Sequence, residues 1–341
     1  MENSHFIREK KEKAFASLFS GKKCIFITTK NISYIRNTQE IKLIGSSASS
    51  LEIIGSDQKS YAKRLLSVYS KILFTNFRKY DIVFVGFSPQ LILPVFSFKF
   101  RNNTVYEDFF ISMHDTLVSD RKKVSSSSGL AKLLKKLDEI TLRKAALIIA
   151  DTEAHRKYFI EDLSAAPEKT SVLYLEADKK IYYPREKQED TKFHVLYFGS
   201  ILPLQGVDVV LKALSLLKEN PQIEFEIIGP VNADNQVISD NIKYYSWLSQ
   251  DELAAHIAES DLCLAGHFNP DIEKANRTIP GKAYIYEAMG KKMVLGDTEA
   301  NHELFSQADP NIVYTERGNA RQLAQVILSE SLKMSPPGSK G

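Results

Sequence analysis

Two cysteines and a single tryptophan in 341 residues are what this chain most conspicuously lacks. Cys24 and Cys263 stand far apart in apolar stretches, with no Cys-x-x-Cys or His-rich spacing, which argues against a disulfide framework or a structural metal centre. They read as reduced core residues. Glycine (15) and proline (12) are too sparse, and hydrophobic residues at 43% too many, for a collagenous or disordered chain. No apolar run reaches the ~18 residues needed to cross a bilayer. Residues 1–13 are charged where a signal peptide is apolar, so the chain is expected to be neither exported by that route nor integral to a membrane. What remains is a globular composition long enough for two cores of roughly 150 residues each.

Charge is unevenly distributed. The formal net charge of +3 combines 28 Lys+Arg against 18 Asp+Glu in residues 1–170 with 17 against 24 in residues 171–341. A basic half suits nucleic acid, an anionic membrane or a phosphate-bearing substrate, and charge alone does not separate these. No groove-reading helix or stacking-aromatic motif points to nucleic acid, which ranks last.

Short β-branched and aromatic runs alternate with helical stretches, the pattern of parallel sheets covered on both faces. Buried strands are expected at 24–29, 81–86 and 145–150, with a helix over 61–77 and another from His155 to Leu163 behind an Asp151-Thr152 cap. After VLYLEADKKIYYP (172–184) a charged, apolar-poor stretch follows, and the alternation restarts at Phe193. The boundaries are therefore set at 1–184, 185–334 and a disordered tail, 335–341. Strands at 193–198, 223–228, 242–247, 261–265 and 293–296 and helices at 207–217, 250–259, 282–289 and 320–331 make the second part doubly wound.

In FHVLYFGSILPLQGVDVVLKALSLLKENPQIEFEIIGP (193–230), Gly199, Gly206 and Gly229 occupy a strand end, a helix start and a second strand end. A strand running into Gly199 with Gly206 at a helix start offers backbone N–H groups at the positive end of a helix dipole, where a diphosphate can sit. A plain β-to-α turn reads equally well from these glycines alone. With IIADTEAHRKYFIED, LEADKKIYYP, SWLSQDELAAHIAESDLCLAG and IPGKAYIYEAMGKKMVLGD following the same order, the chain resembles the GT-B glycosyltransferases of family four. These are retaining enzymes that use nucleotide sugars. The likeness covers about half the chain. It implies an α/β fold of two Rossmann-like, doubly wound domains facing across a cleft, the first serving the acceptor and the second the nucleotide sugar.

The departures from the family are specific. Where many members carry Arg and Lys on the glycine loop, this chain has Ser200 and Gln205. The Glu-x7-Glu signature falls at Arg277 and Ile285, neither of them acidic, and Glu287 lies two residues off. Arg277 and Lys282 flank the start of the expected helix and are assigned to the donor diphosphate in place of the loop cations; a solvated pair beside Glu273 is the alternative. Glu287 is either a ribose contact or a helix-surface residue, and Glu303 matches a family glutamate weakly. The donor set is therefore Gly199, Ser200, Gln205, Gly206, Arg277, Lys282 and Glu287.

In the first domain, ISMHDTLVSDRKK places His114 and Asp115 after a strand over 105–113. In related enzymes a His there contacts the donor sugar; structural roles for both, Asp115 as a cap, stand beside the catalytic ones. Arg36 and Asn37 follow the first strand and Gln90 another, and these are the acceptor candidates, set against a surface Arg and a helix cap. SSSSGLAKLLKKLDEITLRK is amphipathic, as expected of an interfacial helix or of an ordinary surface helix. With Arg8–Lys13 beside Phe15, Leu18 and Phe19 it suggests docking of the first domain on an anionic membrane surface.

The resulting expectation is a retaining, metal-independent hexosyltransferase on the cytoplasmic face of the membrane, with no cofactor. It would move a sugar from a nucleotide-diphosphate donor to a lipid-linked or oligosaccharide acceptor in cell-surface polysaccharide assembly. A catalytically silent GT-B partner subunit is the rival.

Overall fold

The computed structural model describes residues 4–188 and 190–334; the expected tail lies outside them. The chain divides into two compact units, the first ending at Glu176 and the second beginning at Ala177. The division falls inside the LEADKKIYYP segment (175–184), between Glu176 and Ala177. Residues 177–184 belong to unit 2: Pro184 lies against Gly290, and the Ile181 and Tyr182 N–H groups close a turn on Asp178 O.

Unit 1 runs α1 (Ser4–Ser17), β1 (Lys23–Thr28), α2 (Ile35–Ser47), β2 (Ser50–Ile54), α3 (Tyr61–Phe74), β3 (Ile82–Gly86), α4 (Leu93–Phe96), β4 (Thr104–Asp108), α5 (Gly129–Lys144), β5 (Leu147–Ala150), α6 (Glu153–Glu161) and β6 (Thr170–Val172). Its parallel sheet has the order β2-β1-β3-β4-β5-β6, so the connection reverses direction between β1 and β3. The period-2 alternation of the strands sorts the two cores. Ile25, Ile27, Val83 and Val85 pack on Val68 and Ile72 of α3, while Cys24, Phe26 and Phe84 pack on Phe15 and Phe19. Both cysteines are free and buried.

That second core corrects one expectation. Phe15 of α1, Phe19 just after it and Arg8 are buried, so these residues are not free to meet a membrane, while Phe6 of α1 stays 51% exposed. On α5, Leu134, Leu137 and Ile140 are half-buried while Leu130 and Leu133 stay exposed.

Unit 2 runs β7 (Phe193–Phe198), α7 (Val207–Leu217), β8 (Ile223–Ile228), β9 (Ile242–Tyr245), α8 (Gln250–Glu259), β10 (Leu262–Gly266), α9 (Glu273–Arg277), α10 (Gly281–Ala288), β11 (Met293–Gly296), α11 (Glu299–Leu304), β12 (Ile312–Thr315) and α12 (Ala320–Met334). Its parallel order β12-β11-β10-β7-β8-β9 is the dinucleotide-fold order, with the reversal between β7 and β10. Helix α7 forms because Val209, Val210, Ala213, Leu214 and Leu217 make one apolar stripe, which is buried against β7 and β8 residues and α12. Each of the valines and leucines contributes about 1.5–3 kcal/mol on burial, so a charge at Val210 would undo the packing. Helix α8 starts at a complete capping box, Ser249 Oγ accepting from Glu252 N–H and Glu252 accepting from Ser249 N–H.

Candidate functional site

Ligands of doubly wound sheets bind outside the C-terminal ends of the strands, at the reversal point. In unit 2 that crevice lies between the loops after β7 and β10, and the backbone there is packed too tightly for side chains. A Cβ on Gly206 (φ 67°) would lie 2.6 Å from Asn269 N, and one on Gly229 (φ 151°) would lie 2.2 Å from Gly199 O. Gly206 begins α7 in the left-handed region, and Phe268 N–H donates to Gln205 O (3.2 Å) across the crevice. Glycine is dictated at both positions by close approach as well as by φ.

Into this crevice projects Lys282, in the first turn of α10. Its side chain is 5% exposed, and its Nζ has no hydrogen-bond partner. The ammonium sits 3.9 Å from the Tyr197 ring centroid, and a Cβ on Gly199 would be 3.3 Å from Nζ and 3.8 Å from Tyr197 Oη. Tyr197 Oη is also buried without a partner. Two unsatisfied polar groups thus converge on the Gly199 loop. Burial drives the Lys282 pKa well below that of a free lysine and raises the Tyr197 phenol. His267 is buried behind them. Burial first, then the Lys282 charge, push its imidazole down to about 3, so it stays neutral at physiological pH. An anion at the Gly199 loop would find a buried cation, a phenol and the positive end of a helix together.

Of the expected donor residues, Gly199, Gln205, Gly206 and Lys282 line this crevice or its loop. Ser200 follows on the same loop, half-buried, and Arg277 is half-buried at the end of α9. Glu287 lies in the last turn of α10, about 7.5 Å along the helix axis from Lys282 at 1.5 Å per residue. Tyr197 and His267 were not singled out from the sequence. A tyrosine next to last in a strand that ends on glycine was the available signal for the first.

Unit 1 reverses between β1 and β3, and its edge residues differ from those expected. Arg36 is wholly buried: its guanidinium pairs with Asp108 (Nη2–Oδ1 3.0 Å) and Glu40 (Nε–Oε1 3.2 Å) and donates to Leu173 O. Asn37 Nδ2 donates to Asn31 O (2.7 Å) and Thr28 Oγ1 (3.1 Å), and Gln90 Nε2 to Ile111 O (2.6 Å) and Asp138 Oδ1 (2.9 Å). All three are framework residues whose donors are occupied inside the fold, which corrects their assignment to an acceptor. The strand expected to lead to His114 ends at Asp108, short of Met113. His114 and Asp115 instead open a π-helical turn, Asp115–Asp120, held by Asp138 of α5. Asp138 accepts from Ser112 Oγ (2.7 Å), His114 N–H (3.0 Å) and Met113 N–H (3.1 Å). His114 is half-buried; Asp115 is 1% exposed.

What stands at the reversal is Lys30, half-buried between the rings of Tyr34 (5.3 Å) and Phe87 (5.1 Å). Burial, then the charges of Arg64 and Arg121, lower its pKa. Phe87 and Ser88 hold positive φ (40° and 56°), strain that recurs at ligand-binding edges. Unit 1 also buries a cluster of carboxyls, Glu107, Asp108 and Asp138. Glu107 is fully buried with neither oxygen hydrogen-bonded, and burial, then Asp108 and Asp138, raise its pKa well above the usual range.

No protein-family model matches the chain. A curated relative, an uncharacterized 41.2 kDa protein in the cps region of Klebsiella pneumoniae, is 23% identical over 213 residues, spanning 59% of this chain and 58% of that protein. Solved structures align over both units. Sucrose-phosphate synthase from Thermosynechococcus elongatus superposes with TM-score 0.67 at 12% identity (91% of this chain, 90% of that one). A glycosyltransferase from Rickettsia africae gives 0.64 at 15% (91% and 88%), and HepE from Anabaena, solved with UDP and glucose, gives 0.58 at 17% (90% and 89%). The fold is GT-B: two parallel six-stranded sheets, each interleaved with helices.

Proposed function

We propose that this chain is a glycosyltransferase that moves a sugar, with retention, from a nucleotide-diphosphate donor to a lipid-diphosphate-linked glycan in cell-surface polysaccharide assembly. The observation that carries the reading is the unpartnered, buried Lys282 ammonium beside Tyr197 Oη at the Gly199 loop. A buried, unpaired cation is costly to the fold. It becomes favourable when a diphosphate restores its partner, and more so as negative charge develops on that diphosphate during departure. Arg277, at the end of α9, and the first turn of α10 are assigned to the same diphosphate. The HepE structures with UDP and UDP-glucose, and the capsule-region setting of the Klebsiella relative, support a nucleotide sugar and a polysaccharide product. On the acceptor side, Lys30 between two aromatic rings supplies a cation and stacking faces suited to a phosphorylated saccharide.

The test is binding and turnover with UDP-, GDP- and dTDP-sugars, with and without a lipid-diphosphate acceptor, comparing wild type with Lys282→Met, Arg277→Ala and His114→Ala. One donor should bind and be consumed, and Lys282→Met and Arg277→Ala should lose binding. His114→Ala should lose turnover while retaining donor affinity. The rival partner-subunit reading draws on Ser200 and Gln205 standing where loop cations are usual; absence of binding by every nucleotide would favour it.

A further inference from the structure

At the opposite edge of the unit 1 sheet, where β3 and β4 begin, the C-terminal end of α3 and the segment after α4 flank an open groove of about 680 Å³. Three cations line it, Arg78, Lys99 and Arg101, and no carboxylate does. Its rim is apolar and open: Phe74 is 88% exposed and Phe98 53%, with Leu73 and Val95 about half exposed nearby. The walls are fixed by the fold. Lys99 Nζ donates to Leu73 O (2.8 Å), and Asn103 Nδ2 donates to Tyr80 O (2.6 Å) and Phe77 O (2.9 Å), tying the two segments together.

We infer that this edge is a docking site for an anionic membrane leaflet, with the Phe74 and Phe98 rings entering the headgroup–acyl boundary and Arg78, Lys99 and Arg101 receiving lipid phosphates. Phenyl rings over a cluster of cations match that boundary, where the apolar face is buried and the charge meets anionic headgroups. Aliphatic Leu73 and Val95 beside the rings offer nothing to a nucleic-acid backbone, whereas they bury against acyl chains. This edge is distinct from the two stretches the sequence suggests for docking, α5 and the region around Phe15 and Phe19, the latter buried in the core. The face lies at the strand-start end of the sheet, away from Lys30, so the inference stands on its own cations and rings and not on the acceptor reading above.

The test is co-sedimentation of the full chain with phosphatidylglycerol/phosphatidylcholine vesicles and with pure phosphatidylcholine vesicles. Each cation near an anionic surface contributes about fivefold in partitioning. Arg78→Gln with Arg101→Gln should therefore lower binding to the anionic vesicles about 25-fold, and Phe74→Ser about tenfold. Lys132→Gln with Lys136→Gln, on the exposed face of α5, should change it less than threefold. UDP titration of the same variants should be unchanged, which keeps failure of docking distinct from failure of the donor reading. Equal binding of wild type to both vesicles, full retention by the Arg78/Arg101 variant, loss confined to the α5 variant, or Arg78-dependent capture of single-stranded DNA without vesicle binding would each overturn the inference.

Discussion

Replacing Lys282 by Met should make the protein more stable and a poorer binder of nucleotide in the same stroke. The methionine retains the unbranched chain against the Tyr197 ring and removes only the buried ammonium. Isolated burial of that charge costs several kcal/mol, and the ring at 3.9 Å returns about 2 kcal/mol. The variant should gain about 1–3 kcal/mol net, which for a unit of this size is a rise in Tm of about 5 °C. Because burial lowers the Lys282 pKa in the folded state, the unfolded chain holds more protons between that lowered value and the ordinary lysine range. Wild-type stability therefore rises with pH through that window, and the Met variant should lose that rise. Binding is the counterweight. A charge-assisted contact to a diphosphate contributes about 1.5–3 kcal/mol, so UDP affinity should fall about 10- to 100-fold. Differential scanning calorimetry with and without UDP, paired with titration calorimetry, reads both. A variant that melts lower and binds UDP unchanged would show that Lys282 is a prop for Tyr197 and has no part in holding phosphate.

In unit 1, Glu107 binds a proton in the folded state well above the pH at which it would lose it unfolded, so stability falls as pH rises from about 4.5 through the folded value. Glu107→Gln should flatten urea-measured stability by about 1.4 kcal/mol per pH unit in that window; an unchanged slope would mean that the buried carboxyl is not carried neutral. Gly229→Ala places a methyl 2.2 Å from Gly199 O and should cost more than about 3 kcal/mol, seen as a Tm drop of at least about 6 °C. Ser249→Ala removes one arm of the α8 capping box and should cost about 1 kcal/mol by chemical denaturation, with UDP affinity unchanged.

The alternation of strands and helices was legible because parallel sheets bury continuous apolar runs: α7 and α8 begin and end where periodicity and caps place them. Gly199, Gly206 and Lys282 stand out in the sequence as loop and helix-start residues, but what surrounds them, Tyr197 beside Lys282 and Asn269 beside Gly206, is brought there by the fold. Strand β2 was missed since SLEII is an edge strand with three of its five residues exposed, leaving almost no apolar pattern. Arg36 was misread for a different reason. Glu40 at i+4 is a local partner, but Asp108 and Leu173 O lie 72 and 137 residues away, and an i,i+4 pair alone does not distinguish a buried arginine from one that reaches a ligand. Phe15 and Phe19 illustrate the general ambiguity of amphipathic helices, since the sequence shows the apolar face without showing what covers it.

Trp247, the only indole in the chain, is 60% exposed and lies just beyond the end of β9, on the same strand-end edge as Gly199 and Gly229. Its emission therefore comes from a single, water-bathed place on unit 2, undiluted by any other tryptophan. The wild-type protein carries its own optical reporter at that edge, and a shift or quench on adding a small molecule can be followed in stopped flow without a label.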